Sequence, residues 1–353
     1  MKRCIRILTG VTALSVASLG VAQAATVYIP EGSAGQAIVV DAGTDTVVGR
    51  IGGLPDVHGL GAAVSGRYLV AGSYAETSSD QMPAVDRPAG MPEDEHAAHH
   101  DAKARKGASS GNAVSILTII DADDGKPVRR LEVPGAVHHV AVSPDGRYAV
   151  ATHPNADGIS VVDLSGLTVR TLLRTGAMPN YAEFSADGSR VYVSNAGDGT
   201  VSEIDVDRWV VRRDLPAGET PEHIVLAPDG RTLYVANAEA GAVSALAIEQ
   251  GGVDRTFAVG GELHGLDISD DGDTLYVSGI GEDKVVAIDL PSGSMRTASL
   301  GPGPYHLAVI RGTGKLYVSS REEPEVWVVD EATLTPRGTI PVKGEAHQMV
   351  VLP

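Results

Sequence analysis

Cysteine is almost absent: Cys4 is the only one among 353 residues. It lies in an N-terminal stretch where Lys2, Arg3 and Arg6 precede an apolar run from Ile7 to Val21 and the triplet Ala22-Gln23-Ala24. That order reads as a secretory signal peptide over residues 1–24, cleaved before Ala25. On this expectation the mature chain has no thiolate ligand, disulfide, covalent c-type haem attachment, cysteine nucleophile or lipoprotein anchor. Any metal is then held by nitrogen and oxygen. No later stretch is apolar enough to span a bilayer, so a soluble periplasmic or secreted protein is expected.

Cations are scarce as well. Lys and Arg number 28 against 45 acidic residues, a net charge of −17 that becomes −20 once the three leader cations are removed. Such a body repels nucleic acid and anionic lipid and favours metal ions or cationic partners. No Walker sequence, G-x-S-x-G elbow or H-E-x-x-H helix occurs, so the usual hydrolase signatures are missing. Aromatic residues make up only 4%, whereas glycine reaches 42. Crowded inner strands and many tight turns explain that balance.

What is present is a repeat. HHVAVSPDGRYAVATHP from His138, NYAEFSADGSRVYVSNA from Asn180, EHIVLAPDGRTLYVANA from Glu222 and HGLDISDDGDTLYVSGI from His264 superpose with few gaps. The period of about 42 residues is that of propellers and related arrays. Each unit holds four short β-branched runs separated by Gly, Asp, Pro and Asn. In the unit from His138 these are Val140 to Ser143, Arg147 to Thr152, Gly158 to Asp163 and Thr168 to Leu173, with a Pro144-Asp145-Gly146 turn between the first two.

First strands begin near His58, His138, Asn180, His223, His264, His306 and His347, which predicts seven blades. Thr26 to Ile51 supplies three strands lacking a first, and His347 to Leu352 supplies a first strand lacking the rest. Together they predict one shared blade that closes the ring and removes the free edges between first and last blades. The expectation is an all-β, seven-bladed propeller over residues 25–353 with four-stranded antiparallel blades, functioning as a monomer.

Seven of the eleven histidines recur at the starts of the repeats. His58, His138, His264 and His347 occupy one repeat column, and His139, His223 and His306 occupy the next; only the blade at Asn180-Tyr181 has none. One explanation is structural: the residue caps an entry loop and hydrogen-bonds the next blade. The other is a central hub where neutral imidazoles bind a metal or form an acid–base cluster. Because adjacent strand residues face opposite sides, the sequence leaves open which column faces the channel. Glu183 and Asp267, at the third position of their first strands, either meet channel water or orient the imidazoles. His153 replaces a repeat Asn and reads as a local substitution.

The register breaks once, between Arg67 to Ser73 and Ala113 to Ile120. Residues 76–112 form a polar insertion rich in Pro, Ser, Gly and charge, expected to be disordered. It carries His96, His99 and His100 among Glu93, Asp94, Glu95 and Asp101, with Met82 and Met91 upstream. Such a tract reads either as a solvated acidic loop or as a collector of divalent ions.

The units SADGSRVYVSNAGDGTVSEIDV from Ser185 and APDGRTLYVANAEAGAVSALAI from Ala227 resemble the YVTN family of β-propeller repeats. Tyr192-Val193-Ser194-Asn195 and Tyr234-Val235-Ala236-Asn237 carry the likeness. It implies the propeller fold and leaves function open among binding proteins, surface-layer proteins and enzyme-associated subunits. In style the histidine hub is also similar to the copper-binding propeller of nitrous oxide reductase, although no cupredoxin domain accompanies it. The repeats further resemble the haem-binding propellers of nitrite reductases and their maturation proteins, which implies hub histidines as axial ligands or bases. The leading expectation is a periplasmic propeller binding copper or zinc for storage, delivery or metalloenzyme assembly, with a metalloenzyme or transporter as partner. The alternatives are a hub-centred enzyme, either a lactonase or an oxidoreductase with a noncovalent tetrapyrrole, and a protein-binding scaffold.

Overall fold

A computed structural model describes residues 25–64, 66–78 and 113–352; the expected leader and most of the insertion, including His96, His99 and His100, lie outside the described residues. Among the described residues strands form seven sheets. The blade built from Val140–Val142, Tyr148–His153, Gly158–Asp163 and Thr168–Arg174 follows the sequence expectation to within two residues at each strand end.

Turn chemistry sets these lengths. Ser143 Oγ donates to Asp145 Oδ1 at 2.6 Å, the Gly146 N–H donates to the Ser143 carbonyl at 2.8 Å, and Gly146 takes a φ of +70°. Only glycine adopts that φ without strain. The Ser185-Asp187 and Ser269-Asp271 pairs repeat the hydroxyl–carboxylate contact.

Seven apolar clusters lie between neighbouring sheets, one at each contact. The cluster that includes Val27, Ile29, Ile38, Tyr317, Val326 and Ile340 joins the first blade to the last. Closure also occurs within the first blade. Val350–Leu352 pairs antiparallel with Thr26–Glu31, so the two ends of the described chain share one sheet. Buried Val, Ile, Leu and Ala dominate these contacts, and the loss of apolar surface from water drives the stacking.

The second blade departs from the pattern. Thr77–Ser78 pairs with Val114 and Ala113, so this sheet has five strands. Glu76, inside the expected insertion, accepts the Ala136 N–H at 2.8 Å and an Asn155 Nδ2–H at 2.9 Å. Residues 76–78 therefore belong to the propeller. Backbone pairing and a carboxylate with two donors outweigh their polar composition.

Candidate metal centre

Five of the seven first strands enter the channel through a shift of register. The register shifts between Val57 and Gly59, Pro179 and Ala182, Pro221 and Ile224, Leu263 and Leu266, and Pro304 and Leu307. At the adjacent pair, His138 and His139 both face Thr152: the His138 N–H donates to the Thr152 carbonyl, and the Thr152 N–H donates to the His139 carbonyl, each at 3.0 Å. A bulge cancels strict alternation and re-aims side chains. Both histidine columns consequently turn toward the channel, and neither has to form the site alone.

A hydroxyl on the second strand pins this bulge. Thr152, Ser194, Ser278 and Ser319 each accept the backbone N–H of a second-column residue, respectively His139, Tyr181, Gly265 and His306, at 2.6–3.1 Å. Three of them also donate across the blade boundary to first-column carbonyls: Thr152 to Asn180, Ser194 to Glu222 and Ser278 to Tyr305. The hydroxyl follows its partner by 13 residues each time. That spacing can be read along the chain, whereas its role emerges only when the neighbouring blade is in place.

The outcome is two stacked layers of side chains. His58, His138, His264, Tyr305 and His347 form one, and His139, Tyr181, His223 and His306 form the other. Within the first, His58 stacks on His347 with centroids 3.9 Å apart, His58 lies 4.6 Å from His138, and His264 stacks on Tyr305 at 3.8 Å. In the second, His139 and His306 stand 4.9 Å from His223 and 5.4 Å from each other. The layers also touch: His138 is 4.2 Å from His139, and His264 is 4.8 Å from His306. All seven predicted hub histidines therefore converge.

Six of these rings are buried; His138 is half-buried. Each of the six leaves one buried nitrogen without a hydrogen-bond partner: Nδ1 of His58 and His347, and Nε2 of His139, His223, His264 and His306. An unsatisfied buried polar atom costs about 1–3 kcal/mol, and six around one channel make a costly arrangement for a purely structural hub. His153 shows what a structural histidine does instead: Nδ1 meets the Ala136 carbonyl at 3.2 Å and Nε2 meets Ser160 Oγ at 2.7 Å.

Among the described residues two triads suit a metal, His58 with His306 and His347, and His139 with His223 and His306; within each the ligand atoms lie within 4.8 Å of one another. Nitrogens bound to one ion at about 2.1 Å are at most roughly 4.2 Å apart. A triad at the 4.8 Å limit has to draw in by about 0.6 Å to bind one ion. Partners for the outward nitrogens are already in place. His139 Nδ1 lies 2.9 Å from the Asn180 carbonyl, and His264 Nδ1 lies 3.1 Å from Glu222 Oε2. Such contacts hold the N–H outward and leave Nε2 to face an ion. Asn180 and Glu222 carry no sequence signal for this role, since it depends on the neighbouring blade.

Electrostatics favour the ligating form. Burial first, then repulsion among the rings, holds His58, His139, His223, His264 and His306 well below the ordinary imidazole value. His347 is lowered to about 4 by burial and by charge from His138 and Arg321. Neutral imidazole is the form that binds metal.

A chamber of about 370 Å³ opens onto the first layer, lined by His58, His138, His347, Tyr74, Tyr305 and Arg321, with Asp56 and Glu345 also on its wall. The opposite side holds a second cavity of about 440 Å³ containing Tyr181, Glu183, Asp267 and Arg311. Between them Gln348 accepts the Leu60 and Val140 N–H groups at 3.1 and 3.0 Å and donates to the Val140 carbonyl at 3.1 Å. Glu183 and Asp267 do not orient the histidines. Lying two residues further along their strands, about 6–7 Å down the channel, they make no hydrogen bond to a hub imidazole among the described residues. Asp267 instead accepts the Val309 and Ile268 N–H groups and Arg311 Nη2. Glu183, desolvated and beside Asp267, is pushed up to about 8.

Fold and site define a β-propeller whose hub is lined by histidine. The chain belongs to the family described as "Lactonase, 7-bladed beta-propeller", whose model matches residues 151–345, more than half of its length. No curated protein matches it in sequence. Among solved structures it is similar to hydrazine synthase of Kuenenia stuttgartiensis, with 16% identity, 87% of this chain and 93% of that one covered, and a TM-score of 0.68. A Bacteroides uniformis protein described as a 6-phosphogluconolactonase aligns with 15% identity over 94% of this chain and all of its own, TM-score 0.72. The dihydro-heme d1 dehydrogenase NirN shares 13% identity over 96% of this chain and 77% of its own, TM-score 0.62. At such identities the likeness is one of fold.

Proposed function

We propose that this protein is a metal-binding propeller that holds copper or zinc in its histidine hub for storage, delivery or metalloenzyme assembly. The six buried ring nitrogens without partners carry this reading. Neutral imidazole suits both metals, and copper(II) leads zinc in intrinsic affinity. Asp56 and Glu345 on the chamber wall give an incoming cation a favourable entrance. The segment with His96, His99 and His100 is assigned the task of capturing ions before they reach the hub. If residues 1–24 direct export, loading takes place in the periplasm or outside the cell. Metal analysis of protein purified without an affinity tag tests the proposal: bound copper or zinc is expected. Protein that emerges empty and takes up neither ion on dialysis would refute it.

A second reading, a hub-centred lactonase, draws on the family membership and on the chamber beside the histidines. Arg321 lies on its wall, its guanidinium 5.5 Å over the Tyr305 ring and without an ion pair among the described residues. Metal-dependent lactone hydrolysis that disappears in Arg321→Ala with metal content unchanged would favour it. For a noncovalent tetrapyrrole, the discriminating result is a visible absorption band in the purified protein.

A further inference from the structure

We propose that the hub holds two metal ions, one for each histidine layer, with His306 as a ligand to both. This rests on the metal-binding reading above and adds number and arrangement to it. Each triad contains its own pair, His58 with His347 or His139 with His223, and His306 alone is common to them. No set of four histidines meets the same 4.8 Å limit among the described residues, so a single ion does not gather both pairs. The unpartnered atoms divide in the same way: Nδ1 on both members of the first pair, Nε2 on both members of the second.

His306 has the chemistry for sharing. Its Nε2 is buried without a partner, and its ring forms no hydrogen bond through either nitrogen to another described residue. Its centroid lies 5.9 Å from His347 and 6.2 Å from His58 on one side, and 4.9 Å from His223 and 5.4 Å from His139 on the other. Neutral imidazole offers one lone pair; binding a second ion releases the remaining N–H proton to solvent and leaves a bridging imidazolate. The negative charge so formed lies between the two cations and offsets their repulsion. His264 borders the second triad without belonging to it, its ring 4.8 Å from His306 and its Nδ1 at Glu222. His138 borders the first triad in the same way, 4.6 Å from His58.

The test uses the full, tag-free chain with His96, His99 and His100 replaced by alanine, so that only the hub is counted. After loading with Zn²⁺ and desalting, two ions per chain are expected. His347→Ala and His223→Ala should each retain one, and His306→Ala should lose most of both while keeping the wild-type circular dichroism. Loaded with Cu²⁺, the unsubstituted hub should show fewer electron spins than copper atoms, because a bridging imidazolate couples the pair. His347→Ala should restore one spin per copper. One ion per chain in the unsubstituted hub overturns the two-ion arrangement and leaves the metal-binding reading standing; none overturns both. Two ions retained by His306→Ala, or a full spin count at two coppers per chain, overturns the sharing. Should His306→Ala fail to fold, the copper spin count decides.

Discussion

Acid should destabilise the metal-free protein steeply, and the hub supplies the magnitude. Five hub histidines are held well below 6.5, and His347 and the separately buried His153 are lowered to about 4. For a group whose folded value is depressed, the unfolded chain binds the proton first. Its stability is complete above 6.5 and declines as pH falls toward the folded value. Between pH 6.5 and 5.5 a histidine that stays neutral in the fold loses about 1 kcal/mol relative to the unfolded chain. Seven such residues give roughly 7 kcal/mol. Glu183 works in the opposite direction, returning about 1 kcal/mol across that window because its folded value is raised. The remaining loss of roughly 6 kcal/mol is comparable to the whole stability of many domains. Urea unfolding followed by circular dichroism at pH 7.5, 6.5 and 5.5 in chelator measures it. The midpoint should fall sharply below pH 6.5, and less so by about 1 kcal/mol in His223→Gln. Equal midpoints at pH 6.5 and 5.5, with an unchanged denaturant slope, would refute the claim that these rings are held neutral. Zn²⁺-loaded protein should resist until protons displace the ion from its ligands.

Glu183→Gln should remove a slope of opposite sign: the raised carboxyl loses stability as pH rises from 4.5 toward about 8. At 1.36 kcal/mol per pH unit the upper bound is about 5 kcal/mol, and water reaching this half-buried group reduces it to roughly 2 kcal/mol, measurable by thermal melting at pH 8.5. Gly265→Ala places a Cβ 2.6 Å from the Tyr305 carbonyl and 2.7 Å from the Leu307 nitrogen. It should cost about 1–3 kcal/mol by overpacking and lower metal uptake, whereas Gly52→Ala, with open space around it, should change neither. Gln348→Leu leaves the Leu60 and Val140 N–H groups and one carbonyl without their partner. A loss of about 3 kcal/mol in urea unfolding is expected, and no loss would show that water replaces the amide. Deleting residues 80–112 should slow Cu²⁺ uptake in stopped-flow mixing without changing the amount bound; unchanged kinetics would remove that segment from the pathway.

Periodicity alone makes the ring legible. The spacing of His138, Asn180, Glu222 and His264 marks the blades, and the incomplete strand sets at the two ends foretell the shared sheet of Thr26–Glu31 and Val350–Leu352. These features are local patterns counted along the chain, which is why sequence carries them. The bounds of the insertion are less legible, since pairing of Thr77–Ser78 with a strand some 36 residues away is a contact that composition does not encode.

By itself the sequence determined the number of blades, the manner of closure and the seven histidines at the blade starts. It did not determine whether those histidines meet. Strict alternation along a strand would have sent His138 and His139 to opposite faces, and only the bulge, pinned by Thr152 against Asn180, brings both into the channel. Tertiary structure likewise chose Glu222 as the partner of His264, placed Glu183 in a different cavity and set His306 between two pairs of rings. Each of these depends on the angle between neighbouring blades, a quantity fixed by side-chain packing across sheets that no single repeat contains.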